Sequence, residues 1–127
     1  MKPLNRTIGF YLAFLIVIAQ LTNGVRGLID PMAFASYFGL PSNDGGWVQV
    51  YALRALFLGA FAAALLWRRE ISALRWMSLI ALLLPLGDLY LVWNAGATTP
   101  ILVRHALIAL VLLTTFVSLH RWLARAV

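Results

Sequence analysis

Four apolar runs, each close to the length of a bilayer-spanning helix, follow one another within 127 residues and are separated by short polar or arginine-bearing stretches. A span takes about 20 apolar residues in helical form, so four of them leave roughly 40 residues for ends and connections. No fifth span fits together with a soluble domain. Composition agrees, with 63% hydrophobic residues, 11% charged residues and a mean hydropathy of +0.91. A soluble domain would hold roughly 45–50% apolar and about 25% charged residues.

The first span covers residues 8–28, behind Lys2 and Arg6. Its leading part has the length of a signal-peptide core, but Asn23, Gly24, Arg26 and Gly27 follow without an A-x-A-like cleavage site, so it reads as a retained helix. Residues 29–46 form a connection with Pro31, Pro41 and the turn cluster Ser42-Asn43-Asp44-Gly45-Gly46. Between the prolines, Met32, Phe34, Tyr37, Phe38 and Leu40 make an apolar stretch too short to span, as expected of an interfacial or re-entrant segment. The remaining spans are residues 47–67, 74–93 and 101–119, the third interrupted by Pro85 and Gly87. The predicted fold is all-α, an integral membrane four-helix bundle forming one domain over residues 1–127, with a short interfacial segment between helices 1 and 2. On the second span Ala55, Gly59 and Ala63 recur at four-residue spacing and predict a close packing seam.

Cations near span ends set the orientation. Lys2, Arg6, Arg68, Arg69, Arg75, Arg121 and Arg125 fall on one side, whereas Arg26 and Arg104 share the other with Asp30 and Asp44. Both termini are therefore expected in the cytoplasm, in the inner membrane of a bacterium. The net charge of +6 is explained by these flanks, and no basic stripe with interleaved aromatics indicates a nucleic-acid partner. The absence of cysteine excludes thiol redox chemistry, thiolate nucleophiles and iron–sulfur ligation. Two histidines, His105 and His120, on opposite sides do not make a metal site, and no cofactor is expected. The five tryptophans lie near span ends and read as an interfacial belt.

Charged groups inside spans are costly and mark functional sites by default. Arg54, Asp88 and His105, one on each of the last three spans, all sit roughly 6–10 Å below the outer face at 1.5 Å per residue. The first span brings Gln20 and Asn23 to the same depth, Tyr51 lies one turn before Arg54, and the inner halves are almost purely aliphatic. Pro85 removes a backbone donor and disturbs the carbonyl about a turn earlier, near Ala81, predicting a kink just where Asp88 is presented. Of the adjacent Arg104 and His105, about 100° apart on a helix, His105 is expected to face inward and Arg104 to reach the interface.

Gly27 followed by Pro31, Phe38-Gly39-Leu40-Pro41, Arg54 with Gly59, Gly87-Asp88 and His105 together resemble the domain-of-unknown-function family 4267, over nearly the whole chain. That family comprises small four-helix membrane proteins with a layout similar to the DoxX-like group. The resemblance implies Arg54, Asp88 and His105 as a polar signature and, through DoxX-like accessory subunits of redox systems, a role alongside a partner. It supplies no activity. Vitamin K epoxide reductases share the layout but depend on cysteines, so that activity is excluded.

Several readings remain open. Arg54 and Asp88 could form a charge-assisted structural pair, with His105 capped by a backbone carbonyl. Alternatively Arg54, Asp88, His105, Asn23 and Tyr51 line a pocket for a small hydrophobic or amphipathic, lipid-like ligand, in a binding or accessory protein. As an enzyme, the chain would use Asp88 and His105 as acid and base on a lipid-like substrate. As a proton-coupled exporter it would work as a dimer around Asp88. Partners in these readings are membrane lipids, a second copy or another membrane protein.

Overall fold

The structure of the protein is a computed structural model that describes residues 4–40 and 43–125, the side chains of Leu4 and Asn5 excepted. Lys2, Pro41 and Ser42, read above as a flanking charge and turn positions, lie outside the described residues. Six helices carry the fold: α1 (Leu4–Ile29), α2 (Pro31–Phe38), α3 (Gly45–Trp67), α4 (Ile71–Ile80), α5 (Leu83–Asn94) and α6 (Thr99–Ala124). Four segments, α1, α3, α4 with α5, and α6, are each long and apolar enough to cross a membrane. The chain is thus a multi-pass membrane protein by the length and composition of its helices, and among the described residues its regular structure is all helical.

The third span breaks at Ala81–Leu82, four residues before Pro85. Proline cannot donate to the Ala81 carbonyl, and that oxygen instead accepts from the Leu84 amide at 3.1 Å, a tighter turn that ends α4 and starts α5.

Local chemistry also explains α2. The Asp30 carboxylate accepts from the Ala33 amide at 3.0 Å and Pro31 occupies the first turn. Gly39, at φ +102°, ends the helix, its amide and that of Leu40 both donating to the Ala35 carbonyl. The short apolar stretch anticipated in the connection is therefore a capped helix, with Phe34 and Ala35 buried.

In the bundle α1 packs between α3 and α6, and both α4 and α5 pack on α6. The α1–α3 seam is the tightest. Leu21 of α1 seats against Gly59 with its Cδ2 2.9 Å from where a Cβ would stand, and Leu56 of α3 seats reciprocally on Gly24. The buried stripe on α3 is Ala52, Ala55, Gly59, Ala62 and Leu66. It includes Ala55 and Gly59 as anticipated but passes through Ala62 rather than Ala63, because 3.6 residues per turn drift away from a strict spacing of four. Along the third span, α4 also touches α3 next to the loop that joins them, whereas α5 leans on α6 and makes no comparable seam with α3. Contact between α3 and α5 is thus sparse.

Trp47, Trp67 and Trp93 project from the span ends with about 70–90% of their surface exposed, as an interfacial belt requires. The halves nearer the termini are not purely aliphatic. Ser78 donates to the Leu74 carbonyl at 2.8 Å and Thr115 to the Val111 carbonyl at 2.7 Å, so these buried hydroxyls are satisfied within their own helices. A partly open cavity of about 20 Å³ beside Ser78, lined also by Ala13, Ala62 and Leu112, has room for about one water.

Candidate functional site

At the α2 end, side chains from four helices meet. His105, on the second turn of α6, is 4% exposed, and its Nε2 lies 3.0 Å from the carbonyl oxygen of Phe38. A carbonyl only accepts, so Nε2 carries a proton and donates, leaving Nδ1 as the nitrogen that can take or hold another. Phe38 closes the helix α2, and its carbonyl is one of the terminal acceptors that a helix leaves without an internal partner. The Phe38 ring also stands edge-on to His105 at 4.8 Å and to Tyr51 at 5.2 Å, with Phe34 stacked on Tyr51 at 5.8 Å. Helix α2 therefore covers the polar layer with two phenyl rings.

Asp88 of α5 enters this layer half-buried. It lies within electrostatic reach of His105 and of Tyr51. Its carboxylate makes no hydrogen bond or ion pair among the described residues; the ion pair described is that of Arg68 with Glu70, 3.8 Å apart on the opposite surface. Tyr51 and His105 thus gather from α3 and α6 around the Asp88 carboxylate of α5, which has no hydrogen bond or ion pair among the described residues.

Arg54 is elsewhere. The charge-assisted Arg54–Asp88 pair allowed by their common depth is not formed, and Arg54 is exposed. The reason is rotational: Ala52 and Gly59 define the flank of α3 that faces α1, and at 100° per residue Arg54 projects about 60° from Tyr51 on the flank turned away from α1. Asn23 lies half-buried on α1, one turn before Gly27, whose own position abuts Ala52 and Phe34. Arg104 does not simply reach outward, since its guanidinium lies 3.8 Å from the centroid of the Tyr37 ring.

Replacing His105 with leucine removes the donor that satisfies Phe38 O. The expected loss is about 1–2 kcal/mol of stability together with faster amide exchange confined to residues 34–40. Hydrogen exchange measured by mass spectrometry checks this, and exchange spread evenly over all helices would contradict the covering role of α2.

Residues 12–119 match a family described only as a domain of unknown function, DUF4267. The chain belongs to that family. Each DUF4267 residue singled out from the sequence, Arg54, Asp88 and His105, falls inside the matched segment. No curated protein and no solved structure matches significantly, and the expected likeness to the DoxX-like group finds no support in these comparisons. Sequence reasoning missed two things in this DUF4267 chain. One is which carbonyl caps His105: a backbone carbonyl was among the expected readings and is found, but a backbone acceptor has no residue signature that would name Phe38. The other is an arginine–histidine contact at the terminal end, where Arg75 Nη1 lies 3.5 Å from His120 Nδ1 while Arg75 Nε is buried without a partner among the described residues. Two isolated basic residues 45 positions apart give no sequence signal of that meeting.

Proposed function

We propose that this protein is a membrane-embedded binding or accessory protein. A small amphipathic ligand enters from the side, between α3 and α5, and places its polar head against Asp88, His105 and Tyr51, with Arg54 and Asn23 flanking it. One observation carries the reading: a carboxylate inside a span, half-buried and without a hydrogen bond, among a phenol and an imidazole. Such a group is costly in an apolar span unless something binds it. The sparse contact between α3 and α5 is where a route would run, and the exposed apolar side chains of α3 and α5 suit a hydrocarbon tail. The charge distribution supports cytoplasmic termini in a bacterial inner membrane, with the layer in the outer leaflet.

Native mass spectrometry of the protein released from nanodiscs tests the proposal. Wild type is expected to retain a bound species that falls at least tenfold in Asp88→Asn and weakens in Arg54→Ala, while Val111→Ala in the aliphatic half retains it. Bare protein in every sample, or equal retention in Asp88→Asn, overturns the reading. The same spectrum reports a second copy or partner subunit by mass. The nearness of Asp88 and His105 favours one further reading, proton transfer on a lipid-like substrate with these two as acid and base. Its signature is uptake of deuterium from heavy water at carbon in the retained species, read as a mass shift that is lost in His105→Ala.

A further inference from the structure

The polar layer does not use the arginines at the helix ends beside it. Arg26 comes from the last turn of α1 and Arg104 from the second turn of α6. Their guanidinium carbons lie 4.4 Å and 3.8 Å from the centroid of one ring, that of Tyr37 on α2. Two unit cations held on one side chain repel each other, and folding normally supplies a carboxylate between them. Here none is supplied. Neither arginine forms an ion pair among the described residues, and Asp30, one turn beyond Arg26, is engaged in capping the Ala33 amide.

Stacking on an aromatic ring uses the charge of a guanidinium and leaves most of its five N–H donors available. The Tyr37 phenol registers the resulting field. Hydrogen bonding by Arg104, joined by its charge and by that of Arg26, draws it below the usual tyrosine range against the opposing effect of its partial burial. The cluster is therefore a positively charged recess with two donor forks, fixed by a ring rather than by a counter-ion.

We propose that Arg26 and Arg104, held against Tyr37, form an anion site for a phosphate group. Two forks match the tetrahedral oxygens of phosphate better than a single planar carboxylate. The position is also apt, since the ends of α1 and α6 stand where lipid headgroups meet a spanning helix. The phosphate can belong to a phospholipid headgroup or be free in solution, and the two sources are distinguishable. The site shares α2 with the Asp88 layer but none of that layer's side chains.

The test titrates detergent-solubilised protein with phosphatidylglycerol or with diacylglycerol of the same acyl chains, read by native mass spectrometry. Wild type is expected to hold phosphatidylglycerol at least tenfold more strongly, and the double variant Arg26→Gln/Arg104→Gln to lose that preference. Arg68→Gln/Arg69→Gln removes the same charge at the other end and is expected to keep it. Tyr37→Phe preserves the stacking ring and is expected to keep most of it, which separates loss of the site from loss of the fold. Inorganic phosphate that leaves lipid retention unchanged at millimolar concentration assigns the site to a headgroup; phosphate that displaces the lipid assigns it to the free anion. Equal retention of the two lipids by wild type, or an equal loss in the Arg68/Arg69 control, overturns the proposal.

Discussion

Asp88→Leu is expected to melt at a higher temperature than wild type and to retain no ligand. The two effects have one cause. The carboxylate sits half-buried in a span without a hydrogen bond or ion pair among the described residues, and a charged residue at the centre of a spanning helix costs about 3 kcal/mol on insertion scales. Asp88 lies nearer the end of its span and is only partly enclosed, so its removal is expected to stabilise by about 1–2 kcal/mol. Stability surrendered at a binding site is the usual sign that the group serves something other than folding. Thermal unfolding in detergent, followed by helical circular dichroism, measures it. A lower midpoint for Asp88→Leu would mean that the carboxylate supports the fold, and the ligand reading would lose its main physical argument.

The largest loss of stability is expected from Gly24→Val. A Cβ at Gly24 meets Leu56 and stands 2.9 Å from the carbonyl oxygen of Ala52. A side chain can rotate away; a backbone carbonyl within α3 cannot, so the helices must separate and undo the reciprocal seating of Leu21 on Gly59. Overpacking of this kind costs about 3 kcal/mol, at the upper part of its usual range. Gly87→Ala is the matched control, because nothing stands within 4 Å of its Cβ position and alanine favours a helix by about 1 kcal/mol. Thermal midpoints of the two variants are expected to move in opposite directions. A Gly24→Val midpoint equal to that of wild type would show that the α1–α3 seam yields without cost.

The spans were readable from sequence because apolar length answers directly to bilayer thickness: the helix ends at Ile29, Trp67 and Asn94 lie within a residue or two of those expected, whereas the starts at Leu4 and Ile71 and the end at Ala124 carry the helices three to five residues past residues 8, 74 and 119 into the polar flanks. The break before Pro85 was readable for an equally local reason, a missing donor. Depth along a helix was legible too, since rise per residue is fixed, and so Arg54, Asp88 and His105 were placed in one stratum. Their mutual distances were not. Azimuth decides whether residues at one depth meet, and azimuth depends on the order of helices around the bundle, which puts α1 between α3 and α6 and packs α5 on α6 rather than on α3. Arg54 and Asp88, paired on paper by depth, are separated by that order. The grouping of Arg26, Tyr37 and Arg104 was hidden for the same reason, each coming from a different helix.

The joint at Ala81–Leu82 bears on how the protein answers its bilayer. A continuous span meets a thinner or thicker membrane by tilting as a rigid rod. A span divided into α4, tied to α3 by a short loop, and α5, packed on α6, has a joint at which its two halves can tilt separately, so a mismatch is met at the joint as well as by the whole rod.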